Sequence, residues 1–252
     1  MKLGNLVIAA VLMCATAAAV AQNDAPTYTE WSTETRTSLG FRVNAEAVRA
    51  LLPPGWSVAS VQDTDQVNIS LTFMDRHLVL DPQGQVVRSG ASRYMVMAVQ
   101  ARNSNGQNST LIINGISPES SGSYEVYQQA SRTHAARVRS GDDEDSGRIE
   151  EHWEMAAESG DSIRLSLTYR PAPATRRQAS QVIRSGKNTD FTRTYKTDQA
   201  SDVLGLPGAP DSRIEAFSFE ASGPVFSKLF DGTEVLTGVT SIPFYTREIY
   251  IP

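Results

Sequence analysis

From about residue 35 onward the apolar positions recur mostly at every second residue. Val67, Ile69, Leu71 and Phe73 alternate with Asn68, Ser70 and Thr72. Ile163, Leu165, Leu167 and Tyr169 alternate in the same way with Arg164, Ser166 and Thr168. Successive side chains of a strand point to opposite faces, so each run predicts a strand with one apolar face. Thr35–Val43, Ser109–Ile113, His134–Arg139, Gly147–Ala157 and Val235–Pro252 read as further strands, with others near 190–197 and 213–220. Around Tyr94, Met95, Val96 and Met97 both parities are apolar, the pattern of a strand covered on both sides. Turn residues punctuate these runs at Asp81–Gly84, Asn103–Gly106 and Ser159–Asp161.

Helical spacing is rare. Val48, Leu51 and Leu52 share one face of a short helix over 44–52, which Asn44 can cap and Pro53 stops. Ser222–Phe230 predicts a second, with Ser222 as cap, Pro224 in the first turn and Gly232 beyond the end. Tyr124–Ala130 has room for one or two helical turns, 171–188 reads as irregular, and 22–33 as a polar N-terminal arm. Many short strands with few helices predict one mainly β domain over 34–252, an antiparallel sheet closed or partly closed into a barrel so that its edges are hidden. An open β-sandwich or a lipocalin-like barrel is the alternative.

Composition changes this picture in two places. Of 252 residues, 23 are Lys or Arg and 28 Asp or Glu, and the formal charge of −5 speaks against a nucleic-acid binder. The N-terminus carries Lys2, an apolar run from Leu6 to Ala21, and a small-residue exit at Ala19, Val20 and Ala21. That is the pattern of a cleavable signal peptide over 1–21, cut after Ala21. The run is shorter and more alanine-rich than the roughly 20 strongly apolar residues of a membrane span. Cleavage implies a secreted or periplasmic protein with no stable membrane span. It also removes Cys14, the single cysteine, so disulfides, thiolate metal sites and cysteine nucleophiles are excluded from the mature chain.

The helix ending in Leu51, Leu52, Pro53, Pro54, Gly55 and Trp56, followed by the alternating strand from Val67 to Met74, resembles the acetoacetate decarboxylase-like family. The hairpin over 147–169 and the closing segment Gly223–Phe230 before the last strand extend the resemblance over roughly 34–252. It implies a cone-like β-barrel with an interior pocket, family members that often form oligomers, and hence a homo-oligomer among the expected partners. Family decarboxylases form a Schiff base between a Lys and a β-keto acid, that Lys lying in a Pro-Lys-Lys segment. The corresponding stretch here, Tyr124–Arg137, contains no Lys, and beyond the signal only Lys187, Lys196 and Lys228 remain. The resemblance therefore implies the fold without the Schiff-base chemistry.

His134 falls about where the family places its Lys, and an imidazole there suits acid–base work near neutral pH. Arg132 and Arg137 are placed to hold a carboxylate, although strand alternation puts Arg132 and His134 on one face and Arg137 on the other. Tyr94, Arg132 and His134 are the expected ligand-binding residues, and His134 the expected catalytic one. The alternative is that His134 and both arginines are solvated strand residues. His152 between Glu150 and Glu154 has metal-ligand chemistry, but an exposed strand face of mixed charge has the same pattern. Asp142–Asp145 lacks the spacing of a calcium loop and reads as a hairpin tip. Neither a cofactor nor a metal is expected. These features suggest an exported small-molecule binder, or a lyase-like enzyme without a Schiff base. The alternatives are a non-catalytic envelope protein and a carrier of an apolar ligand.

Overall fold

The computed structural model describes residues 25–59, 68–119, 122–142 and 147–252. The expected signal peptide, 1–21, Val67 at the head of the alternating strand, and residues 143–145 of the expected acidic tip lie outside the described residues. The chain runs β1 Thr27–Arg42, α1 Ala45–Arg49, β2 Trp56–Val58, β3 Ile69–Leu80, β4 Val86–Asn103, β5 Asn108–Ser117 and β6 Gln128–Ser140. It continues with β7 Arg148–Ala157, β8 Ser162–Tyr169, β9 Thr175–Ser185, β10 Thr192–Gly205, β11 Ile214–Ser222, α2 Phe226–Leu229 and β12 Val235–Ile251.

The strand pairings form a ring. β1 pairs with β3, β3 with β4, β4 with β5, β5 with β9, β9 with β10, β10 with β12, and β12 with β1 again. One sample of the register runs Thr37↔Phe73, Phe73↔Met95 and Met95↔Ile116. Six of these ladders are antiparallel. The seventh, β5 with β9, is parallel, so the sheet is mixed rather than wholly antiparallel as the alternation suggested. Parallel neighbours need a long connection, and here β6, β7 and β8 supply it. Those three strands and β11 form a second antiparallel layer, joined to β5 through Ile116↔Gln128 and Ser117↔Gln129.

Alternation explains how the layers stack. Leu39 and Phe41 of β1, Leu71 and Phe73 of β3, and Met95 and Met97 of β4 turn outward from the ring into the main core. There they meet Trp153 and Met155 of β7 and Leu165 and Leu167 of β8. The rings of Phe73 and Trp153 lie 5.6 Å apart, and Phe41 meets Phe219 of β11 at 4.8 Å. Burying such side chains stabilises the stack by about 2 kcal/mol each. The other parity, including Ser70, Thr72, Val96 and Ala98, faces the ring interior.

Four local expectations change. Residues 27–33, expected in an arm, form the first half of β1 and pair with β12. Residues 175–185, expected as irregular, are β9, because Thr175–Arg184 pair with β10. The stretch 124–130 is not helical: it is a turn followed by the start of β6. Finally, Ser222 ends β11 and does not cap α2. The carboxylate of Asp161, fully buried, accepts from Val225 N at 2.9 Å and Phe226 N at 3.1 Å instead. A distant turn therefore does the work that a local serine was expected to do. The first helix is capped as read, with Asn44 Oδ1 accepting from Glu46 N at 2.9 Å. Among the described residues no helix is long and apolar enough to cross a membrane.

Candidate functional site

All seven ring strands contribute side chains to one internal cavity of about 290 Å³. Arg36 comes from β1, Ser70, Thr72, Met74 and Arg76 from β3, and Tyr94, Val96, Ala98 and Gln100 from β4. Thr110 and Ile112 come from β5, Gln181 and Ile183 from β9, Arg193 and Tyr195 from β10, and Tyr245 and Arg247 from β12. The segment after β5 closes one side with Glu119, Ser123, Tyr124 and Tyr127. Among the described residues no Lys, His or Cys lines the cavity.

Behind one wall Glu34 is buried, its side chain 1% exposed. It accepts from Arg36 Nε at 2.7 Å and Ser32 Oγ at 3.3 Å, and lies 3.0 Å from Arg247 Nη2. Burial by itself would raise the carboxyl pKa. The charges of Arg247 and Arg36, with the Arg36 hydrogen bond, overcome that and hold it at about 2. Glu34 thus stays ionised and neutralises one of its two guanidinium neighbours. Arg36 lies over the Tyr245 ring at 3.4 Å, and Arg247 over the Tyr195 ring at 5.1 Å. The aromatic faces fix both cations while shielding them from water.

A second group surrounds Arg76, whose side chain is 8% exposed. Its guanidinium bonds Glu30 at 3.3 Å, Glu119 at 3.1 Å, and the Tyr94 hydroxyl. Tyr94 donates to Glu119 at 2.6 Å and accepts from Ser92 Oγ at 3.0 Å. Arg88 pairs with Glu119 as well. Burial pulls the Arg76 guanidinium below its ordinary pKa, and the like charge of Arg247 adds to this.

The third group joins β10 to the closing segment. The hydroxyls of Tyr124 and Tyr195 are 2.7 Å apart. Burial, and then the neighbouring Tyr195, push the Tyr124 phenol up, so it stays protonated at neutral pH. One O–H of the pair is used between the two oxygens, which leaves the other to donate elsewhere. Arg193 lies over the Tyr124 ring at 5.8 Å and donates from Nη2 to Ser123 Oγ at 2.6 Å. Among the described residues no carboxylate is within ion-pair distance of Arg193, and the buried Nε atoms of Arg193 and Arg76 have no acceptor. A buried donor without a partner is costly. Four guanidinium-bearing side chains, Arg36, Arg76, Arg193 and Arg247, line the cavity, which suits it to anionic oxygens.

Tyr127 owes its position to two glycines. A Cβ on Gly115 would stand 2.5 Å from the Tyr127 ring, and one on Gly122 would meet its opposite edge. Gly122 also has a φ of +60°, in the region where side chains are disfavoured.

Of the residues expected at the site, Tyr94 lines the cavity. Arg132 and His134 are not there. β6 belongs to the outer layer, and its alternation turns both to the solvent-facing side. Arg132 donates to Glu154 at 2.6 Å, and the His134 ring lies 6.0 Å from that of His152. Arg137 takes the other face, bonding Tyr169 at 2.7 Å and Ser241 at 3.1 Å beside the buried Glu151. His152 meets Ser166 at 3.0 Å, Glu150 pairs with Arg148 and Glu154 with Arg132 and Arg164. Among the described residues no three His, Cys, Asp or Glu side chains converge as metal ligands do. Lys187, Lys196 and Lys228 are all exposed, Lys187 pairing with Glu125 and Lys196 with Tyr250.

The arginines and Glu34 were not singled out from the sequence. Arg76 continues the Ser70, Thr72, Met74 parity of β3, which looks like a solvent-facing stripe. Ring closure turns that stripe inward, and only the strand order reveals it.

No family model matches the chain, and no curated protein does. Solved structures share its fold. The enduracididine biosynthesis enzyme MppR, complexed with the condensation product of pyruvate and imidazole 4-carboxaldehyde, superposes with a TM-score of 0.52 at 11% identity, covering 90% of this chain and 88% of that one. An acetoacetate decarboxylase-like enzyme from Sphingomonas wittichii RW1 gives 0.52 at 12% identity, covering 88% and 90%. The chain therefore has the acetoacetate decarboxylase-like fold.

Proposed function

We propose that this protein binds a small organic acid in the ring cavity, and that it does so without lysine Schiff-base chemistry. The observation that carries the reading is the convergence of Arg36, Arg76, Arg193 and Arg247 on a cavity that no Lys lines among the described residues. A pocket near 300 Å³ suits a metabolite-sized ligand, and guanidinium groups recognise carboxylates by paired, charge-assisted bonds. The pyruvate-derived product held by MppR supports the same ligand class. The hollow interior favours ligand binding over the alternative of a purely structural envelope protein. We include export in the proposal, on the residues of the 1–21 segment.

Calorimetric titration with acetoacetate, followed by borohydride treatment and intact-mass measurement, tests the reading. Reversible binding with unchanged mass is expected. A covalent adduct on Lys187, Lys196 or Lys228 would overturn the exclusion of Schiff-base chemistry, and the absence of binding by any small carboxylate would overturn the proposal itself.

A further inference from the structure

The charges around the cavity do not cancel. Arg76 and Arg88 are answered by Glu30 and Glu119. Arg36 and Arg247 share the single carboxylate of Glu34, which leaves one positive charge over. Arg193 has no carboxylate partner among the described residues, which leaves a second. Like charges held close together without a counter-charge repel, and an arriving anion relieves that repulsion.

The two excess charges are also separated in an ordered way. Arg193 lies over the ring of Tyr124, and Arg247 over the ring of Tyr195. The two phenols join these pairs, their hydroxyls 2.7 Å apart with one hydroxyl proton free to donate. Two cations carried on a hydrogen-bonded pair of tyrosines complement a molecule with two anionic groups and an oxygen acceptor.

We propose that the cavity selects small dicarboxylic acids over monocarboxylic acids, with one carboxylate held by Arg193 and the other by Arg247 and Arg36. The inference rests on the reading of the cavity as an organic-acid site and specifies the charge of its ligand. A single carboxylate leaves one of the two cations unanswered. A dianion answers both, and complementary charge gives specificity.

The test uses the mature protein at neutral pH and fixed ionic strength, since salt screens such differences. Succinate and glutarate are titrated beside the chain-matched butyrate and valerate. The better dicarboxylate should bind at least tenfold more tightly than its monocarboxylate counterpart. Arg193→Gln should bring that ratio close to one, and Arg193→Lys, which keeps the charge, should retain most of it. The wild-type ratio stands as a test even where a variant fails to fold. Monocarboxylates that bind as tightly as dicarboxylates overturn this inference and leave the organic-acid reading standing. No binding by any of the four acids, nor by acetoacetate, overturns both. Inorganic phosphate binding as tightly as the better dicarboxylate, and losing as much on Arg193→Gln, overturns the two-point arrangement in favour of a compact dianion.

Discussion

Arg247 Nη2 lies 3.0 Å from Glu34 Oε1, and neither side chain is more than 13% exposed. The pair makes stability depend on acid. Glu34 has an ordinary pKa of 4.5 and is held at about 2 in the folded chain. A depressed folded pKa stabilises fully above the unfolded value and loses that contribution as pH falls through the folded one. Between pH 4.5 and about 2 the protein should lose about 3 kcal/mol from this group. Denaturant unfolding followed from pH 7 to 2.5 measures it. Glu34→Gln should flatten that part of the profile and cost about 3 kcal/mol at neutral pH, because two cations lose their counter-charge. A variant as stable as the parent at pH 7 would show that the pair contributes nothing.

A second buried acid should behave differently. Glu151, 3% exposed, accepts from Thr37 Oγ1 at 2.5 Å, Tyr169 OH at 2.9 Å and Trp153 Nε1 at 3.2 Å, and pairs with Arg137 at 3.2 Å. It bridges the ring wall to the outer layer and does not line the cavity. Glu151→Ala should destabilise by about 3 kcal/mol in denaturant unfolding, while organic-acid affinity measured on the folded fraction stays within twofold. A large loss of affinity would connect the two regions.

Gly115→Ala should act through Tyr127. The added methyl group collides with the ring and with the Met95 carbonyl, so the ring must leave its place in the cavity wall. A cost of about 1–3 kcal/mol is expected, with weakened ligand binding and a changed near-ultraviolet tyrosine signal. An unchanged spectrum would mean that the ring has room to spare.

His134→Ala and Arg132→Ala should leave the organic-acid titration unchanged, since both side chains sit on the outer layer away from the cavity. Loss of binding in either variant would restore them to the site.

The strand pattern was legible because its cause is local: each strand buries one face, and the period of two records it. The doubly apolar β4 was readable for the same reason, since Met95 and Met97 face the core while Val96 and Ala98 face the cavity. β9 was not readable. Most of its face residues are exposed, and its place is fixed by pairing with β5 and β10 rather than by a core stripe. The α2 cap was hidden because Asp161 is remote in sequence from the helix it serves. The site was least legible of all. Tyr94 was named for a barrel pocket and lines the cavity, whereas Arg36, Arg76, Arg193 and Arg247 lie on strands far apart in the chain and are brought together only when the ring closes.

The placement of the amines has a practical consequence. Lys187, Lys196 and Lys228 all stand on the exterior, and among the described residues no lysine lines the void. Acylating dyes, biotin esters and activated resins should therefore decorate only the outside of the folded barrel. Of the three, Lys196 and Lys228 offer natural points for tethering or labelling, whereas Lys187 pairs with Glu125 in the segment that closes one side of the chamber.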